Sequence, residues 1–341
     1  MSKIRFAIIG MGHIGRRHAA MIQENPQAEL VAVADINPAL GNDLTSQFGV
    51  PFFPSAEALL AANLPVDVVN ICTPNGYHAA QAIQALQQGY HVVCEKPMAL
   101  RKADAEEVLF TALQQQKLVF CVMQNRYSPP AVWLKNLVSS GQLGQLYMVQ
   151  INCYWNRDQR YYKANGWKGN LHEDGGTLFT QFSHFIDMMF WLFGDIEQIT
   201  ARFNDFNHQQ LSAFEDSGLV QFVFKKGGVG CINYSTALWD ANFESSMTII
   251  AENGTVKVGG QYMEVVEHCH VKGYTMPELP PASPPNDYGS YKGSAANHHF
   301  IIQNVVETLQ GNTIATTNAL EGMKVVEIIE NIYKLKQTPK G

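Results

Sequence analysis

Three groups of residues have the types and spacing of reaction chemistry. Gly10-Met11-Gly12-His13-Ile14-Gly15 carries glycines at its first, third and sixth places. Between a strand and a helix, that spacing makes a tight turn whose bare backbone lets a pyrophosphate rest on the helix N-terminus. Asp35 ends the next apolar run, where a carboxylate accepts hydrogen bonds from both ribose hydroxyls and repels a 2′-phosphate. The pair favours NAD over NADP. Arg16 and Arg17, inside the first predicted helix, read as helix-surface residues and do not overturn that preference. Lys96 lies beyond the carboxyl end of the fifth apolar run, where a desolvated amine can take a hydroxyl proton as hydride leaves the carbon. Finally, Thr180, His184, Asp187, Met188 and Trp191 recur at helical spacing, so one stripe offers a hydroxyl, an imidazole and a carboxylate. A histidine satisfied inside an apolar helix is the alternative for His184.

The elements that must position these groups follow from periodicity. Apolar runs at Phe6–Ile9, Leu30–Ala34, Val66–Ile71, His91–Cys94 and Leu118–Met123 alternate with helical patterns at 13–24, 55–62, 77–88 and 103–116. The expected class is α/β, with an N-terminal Rossmann domain, a doubly wound parallel sheet, over 1–124. After Met123 the pattern changes. A helix at Ala131–Val138 precedes alternating runs at Leu146–Trp155, Leu219–Phe224, Gly228–Tyr234, Ser246–Glu252, Thr255–Val258 and Glu264–His270. Lys226-Gly227 and Asn253-Gly254 sit between neighbours as hairpin turns. A C-terminal α+β domain over 125–341, with a large, mostly antiparallel sheet, is expected. Gly175-Gly176-Thr177 opens a helix running to Phe193, the proline-rich stretch 277–285 reads as an irregular loop, and helices are expected over 297–310 and 319–336.

Composition excludes several classes. A net charge of −6 with no basic run lacks the footprint that nucleic-acid phosphates require. Six scattered cysteines include no CxxC pair, which fits reduced thiols in a cytoplasmic protein. The start of the chain runs straight into a strand and the glycine motif, so no leader is expected. The richest apolar stretch, Phe179–Phe193, is interrupted by Gln181, His184 and Asp187, so no membrane span is expected either. Glu267-His268-Cys269-His270 reads as an edge or interface strand and His298-His299 as a helix start; no metal is expected.

Two further strings carry a family resemblance. Val69–His78 reads VNICTPNGYH and His91–Met98 reads HVVCEKPM. With the glycine motif they resemble the Gfo/Idh/MocA oxidoreductases over essentially the whole chain, Glu95-Lys96-Pro97 being the most specific element. The resemblance implies that Gly10, Gly12, His13, Ile14, Gly15, Asp35, Thr73, Pro74, Asn75, His78, Glu95, Lys96, Pro97 and Gln124 form the NAD site. Lys96 would face the reacting hydroxyl, a cis bond would precede Pro97, and His184 would assist as the second catalytic residue.

Within that family, Gln124-Asn125-Arg126-Tyr127, Tyr154-Trp155-Asn156-Arg157, Gly166-Trp167-Lys168-Gly169 and Thr180-Gln181-Phe182-Ser183-His184 resemble the branch that oxidises the 3-hydroxyl of UDP-N-acetylglucosaminuronic acid. This implies a sugar or nucleotide-sugar substrate bound by Asn125, Arg126, Arg157, Lys168, Thr180 and Gln181, the cations serving its carboxylate or diphosphate. Two positions depart from the pattern. Family members commonly carry Asp at the position of Thr180, the branch more often Asn there and Arg at Lys168. Threonine cannot serve as a carboxylate base, so proton transfer would fall on Lys96 and His184. Another polyol substrate, or a dinucleotide-binding sensor without turnover, is the alternative reading. A sheet face left uncovered by helices implies a homodimer or homotetramer.

Overall fold

The computed structural model describes residues 2–164, 166–289 and 291–336. The chain forms two compact units, Met1–Met123 with His298–Val326, and Gln124–Asn297 with Glu327–Gly341.

The first unit runs β1 (Ile4–Ile9), α1 (His13–Glu24), β2 (Ala28–Ala34), α2 (Gly41–Phe48), β3 (Phe52–Phe53), α3 (Ala56–Ala61), β4 (Val68–Ile71), α4 (His78–Gln87), β5 (His91–Cys94), α5 (Lys102–Gln114) and β6 (Val119–Cys121). Its strands pair in parallel in the order β3-β2-β1-β4-β5-β6. Phe6, Ala7 and Ile8 of β1 and Val68 and Val69 of β4 are fully buried. Near-continuous apolar strands of this kind suit a parallel sheet with helices on both faces. The strand order reverses its direction of growth between β1 and β4, which opens the crevice where such sheets bind ligands. Helix starts follow local chemistry: Ser55 Oγ accepts from the Ala58 N–H at 3.1 Å at the head of α3.

The second unit runs α6 (Pro129–Ser139), β7 (Leu146–Tyr154), α7 (Thr177–Thr180), α8 (Ser183–Phe193), β8 (Ile196–Asn204), β9 (Ser217–Phe224), β10 (Val229–Ser235), β11 (Glu244–Ala251), β12 (Gly254–Gly259), β13 (Val265–Val271), β14 (Pro285–Asp287) and β15 (Lys292–Ala295). The large sheet has the order β13-β12-β11-β7-β10-β9-β8. Its pairs are antiparallel except β10 with β7. Both expected hairpin turns join antiparallel neighbours, and β13 with its two histidines is an edge strand, as its sequence suggested. The other face keeps apolar side chains in solvent, with Met148 opposite both Val229 and Ile250 and all three more than 40% exposed. Among the described residues no helix is long and apolar enough to cross a membrane.

Helices α9 (His298–Leu309) and α10 (Ala319–Tyr333) close the chain. Here the expected boundary needs correcting: 125–341 is not one continuous second domain, because 298–326 belongs to the first unit. The physical reason is packing. Asn25 Nδ2 donates to Gln303 Oε1 at 2.9 Å, Phe120 bridges Asn318, and a Cβ on Gly322 would lie 2.3 Å from Cys121 Sγ. The expected helix from Gly175 to Phe193 is also two pieces, α7 and α8, separated at Gln181-Phe182.

In the second unit, a buried ion pair ties the turn Gln124–Tyr127, just before α6, to α8. Arg126 Nε donates to Asp187 Oδ2 at 2.8 Å and Nη2 to Oδ1 at 2.6 Å, with both side chains 1% exposed. Removing one partner strands a charge away from water. Arg126→Met should cost about 3–5 kcal/mol in a denaturant titration, and Arg126→Met with Asp187→Leu should recover most of it.

Candidate active site

The glycine motif follows β1 and opens α1. Gly10 has φ +91°, and a Cβ there would lie 2.7–2.8 Å from the Cys72 carbonyl and Thr73 nitrogen, so the loops after β1 and β4 touch backbone to backbone. A Cβ on Gly15 would fall 1.9 Å from the Gly10 oxygen. At Gly12, by contrast, a Cβ would meet nothing within 4 Å. That bare surface lies at the N-terminus of α1, which has neither a side-chain cap nor an acidic first turn. Its N–H groups are thus left to an anion, and the residues fit the pyrophosphate of NAD.

Asp35 braces this loop. Its Oδ2 accepts from the Met11 N–H at 2.7 Å and its Oδ1 from the Asn37 N–H at 2.9 Å. Arg16 pairs with Asp43 at 2.8 Å on the helix surface, as its sequence position implied. Beside the loop, Thr73 Oγ1 donates to Gln81 Oε1 at 2.6 Å, and Pro74 leads into the turn Asn75–Tyr77. His78 is 1% exposed, with Nδ1 2.7 Å from the Pro97 oxygen and Nε2 2.8 Å from the Thr73 oxygen. It joins two loops rather than offering its ring to a ligand. The Lys96-Pro97 bond is cis.

Glu95 is 6% exposed and heads the segment carrying Lys96. Its Oε1 lies 3.0 Å from His18 Nε2 and 3.7 Å from His298 Nε2, and its Oε2 accepts from the Lys96 N–H at 3.2 Å. Asn70 Nδ2 donates to His18 Nδ1 at 2.9 Å, which puts the His18 proton on Nε2, pointing at the carboxylate. Burial works to raise the Glu95 pKa; the His18 hydrogen bond and the charges of His298, His18 and Lys96 outweigh it and hold it at about 2. Burial lowers His298 to about 3 despite the pull of Glu95. His18, Glu95 and His298 have the donor types of a metal site, with ligand atoms within 4.8 Å of one another.

In the second unit, Gln124 Nε2 donates to His184 Nε2 at 3.1 Å and to Ser294 Oγ at 3.0 Å. Arg126 is held by Asp187 and faces the Trp191 ring at 5.2 Å. Arg157, 2% exposed, gives Nε to Gln181 Oε1 at 2.7 Å, Nη1 to the Asn156 oxygen at 2.6 Å and Nη2 to the Lys292 oxygen at 3.1 Å. Gln181 Nε2 in turn donates to the Tyr161 hydroxyl at 2.6 Å. The expectation that both arginines present their charge to a ligand meets a different geometry: they hold the unit's own core. Lys168, half-buried, donates to the Tyr291 hydroxyl at 2.7 Å and lies 3.9 Å from the Tyr161 ring centre. Asn125 is 5% exposed, and neither its Nδ2 nor its Oδ1 has a hydrogen-bond partner among the described residues.

Sequence reasoning missed three groups. His18 lies one turn beyond Gly15 and His298 far along the chain, so only the fold brings them to Glu95. Asp174, just before the glycine pair, accepts from the Thr180 hydroxyl. A carboxylate six residues ahead of a hydroxyl in a glycine-bearing turn was the available signal.

Comparison with known proteins agrees with this layout. Residues 4–123 match the model for the oxidoreductase family with an NAD-binding Rossmann fold, and residues 132–257 match the GFO/IDH/MocA C-terminal domain. The crystal structure of the WlbA dehydrogenase from Chromobacterium violaceum, in complex with NADH and UDP-GlcNAcA, is similar with a TM-score of 0.86 and 31% identity, over 98% of this chain and 94% of that one. The Bordetella pertussis WlbA dehydrogenase in the same kind of complex gives 0.85 and 32%, over 98% and 96%. D-glucoside 3-dehydrogenase of Escherichia coli is 30% identical over 198 residues, 57% of this chain and 55% of that protein, so the match spans little more than half of that relative.

Two outcomes test the geometry. Gly12→Ala should keep its melting temperature while weakening NADH binding by about tenfold or more in a fluorescence titration; Gly15→Ala should lose about 1–3 kcal/mol of stability through its clash with Gly10. The His298 pKa is depressed from 6.5 to about 3, so the unfolded chain binds the proton first. Stability is full above pH 6.5 and falls as pH drops toward 3. Melting temperatures across this window should fall less steeply for His298→Gln than for the intact protein. With the cofactor loop built for a dinucleotide and both family models matched, the chain is an NAD-using oxidoreductase and belongs to the Gfo/Idh/MocA family.

Proposed function

We propose that the chain is an NAD-dependent dehydrogenase of UDP-N-acetylglucosaminuronic acid, oxidising the sugar 3-hydroxyl to a ketone for surface-polysaccharide synthesis. The observation that carries this reading is the likeness, along nearly the whole of both chains, to two WlbA dehydrogenases in complex with NADH and UDP-GlcNAcA. Asn125 supports it from chemistry. A buried amide with no internal partner costs about 1–3 kcal/mol, which a ligand hydroxyl or carbonyl would offset.

NAD, when bound, supplies the acceptor for the hydride leaving the sugar carbon. Lys96, as the neutral amine, accepts the hydroxyl proton at Nζ. His184, its Nε2 3.1 Å from the Gln124 amide nitrogen, assists Lys96. Arg126 and Arg157 act through the packing they support, and Lys168, the half-buried cation of the three, serves the substrate's negative charge. Copies of the chain pair through the exposed sheet face of Met148, Val229 and Ile250, as a homodimer or homotetramer.

Reduction of NAD, followed at the nicotinamide absorbance, tests the reading with UDP-N-acetylglucosaminuronic acid, free sugars and inositol. The nucleotide sugar should be oxidised fastest. Faster turnover of inositol or a free sugar overturns it, and tight NAD binding with no turnover would indicate a sensor. Lys96→Met should lower kcat by about 10²–10⁴-fold; an unchanged rate removes Lys96 from the mechanism.

A further inference from the structure

Arg157 is a cation withdrawn from water with no acid beside it. Its guanidinium donates to Gln181 Oε1, to the main-chain oxygens of Asn156 and Lys292, and to Asn242 Oδ1 at 3.1 Å. Among the described residues no carboxylate pairs with it, although the side chain is almost wholly buried. Aromatic rings surround it instead, with the centres of Trp155, Tyr161 and Tyr291 at 4.8, 5.1 and 5.3 Å. A buried charge without a counter-ion is costly, and an anion brought close relieves that cost.

The bonds around Gln181 admit one polarity. A guanidinium only donates, so the Gln181 amide oxygen must face Arg157 and its Nε2 must face Tyr161. That nitrogen also only donates, at 2.6 Å, so the Tyr161 oxygen accepts and its own proton points elsewhere. No described residue takes the proton. Tyr161 is nonetheless 6% exposed; burial, and after it the charge of Asp174, raises its pKa well above the usual tyrosine range and keeps the hydroxyl protonated. The ring is also held by a second cation, since Lys168 Nζ lies 3.9 Å from its centre.

We infer that Tyr161 is a specificity-determining residue, a hydrogen-bond donor that Arg157 and Gln181 hold ready for an anionic oxygen, carboxylate or phosphate, of the substrate. Arg157 then serves the substrate without touching it: it orients Gln181, Gln181 orients the phenol, and its own unmatched charge favours an anion nearby. This inference rests on the proposed reading, which brings a nucleotide-sugar acid to Lys168, the cation over the Tyr161 ring.

Calorimetric binding to the NADH-loaded protein tests it with two ligands. UDP-N-acetylglucosaminuronic acid carries a carboxylate and a diphosphate, and UDP-N-acetylglucosamine carries the diphosphate alone. Tyr161→Phe keeps the ring and deletes the donor; it should weaken the acid about tenfold while NADH affinity and melting temperature stay unchanged. A loss confined to the acid puts Tyr161 at the carboxylate, and an equal loss in both ligands puts it at the diphosphate. Gln181→Glu tests the relay, because one oxygen stays on Arg157 while the other accepts the phenol proton and turns the donor inward. It should weaken the acid about as much, and little further once Tyr161 is already replaced by Phe. Unchanged binding of both ligands in Tyr161→Phe, or losses that simply add in the double variant, overturns the inference while the dehydrogenase reading stands. An intact protein that binds neither ligand overturns both. Should Tyr161→Phe fail to fold, Gln181→Glu decides alone: unchanged affinity for both ligands sinks the proposal.

Discussion

A carboxylate withdrawn from water must find donors, and both units are organised around that demand. Glu95 has His18 and the Lys96 backbone, Asp187 has the fork of Arg126, and Asp174 has Thr180 and Gly169. Glu215, 2% exposed, accepts from Tyr234, Tyr333 and Lys336, although burial still raises its pKa. Glu95, Asp187 and Glu215 pin segments distant in sequence and Asp174 closes its own loop, so loops that carry functional groups inherit their placement from these contacts. The cost of an orphaned charge is what makes them rigid.

The same demand explains how the cations were used. From sequence, an arginine near a ligand-binding string looks like a ligand for a phosphate or carboxylate. Arg126 and Arg157 instead satisfy Asp187 and a set of carbonyl and amide oxygens, with aromatic rings packed against their planes. Residue type was legible; which acceptor reached it first was not. Lys168 reaches the Tyr291 hydroxyl, and the Asn125 side chain has no hydrogen-bond partner among the described residues.

The first unit was more legible than the second for a physical reason. Its parallel strands are buried on both faces, and apolar runs such as His91–Cys94 coincide with β5. The glycine spacing is a steric requirement, and Gly10 and Gly15 bear it out atom by atom. In the second unit, β8 went unread because alternation such as Ile196, Glu197, Gln198, Ile199 is weak, and the β14–β15 hairpin lay hidden beyond a run of prolines. The docking of 298–326 was invisible because periodicity reveals a helix's apolar stripe, not the surface that receives it. In the site, the glycine loop was legible from its spacing and Asp174 lies only six residues from Thr180, while the approach of His18 and His298 to Glu95 depended on tertiary neighbours.

The return of residues 298–326 to the first unit bears on how the protein is born. A ribosome releases β1 to β6 before the second unit, but the helix that covers Cys121 and Met98 near Gly322 emerges only after residues 124–297 of the second unit have been made. The nascent sheet therefore waits with an apolar surface uncovered, and its final closure is a contact of high sequence separation, the slow kind in folding. Synthesis cannot finish the cofactor domain before residues 298–326 appear.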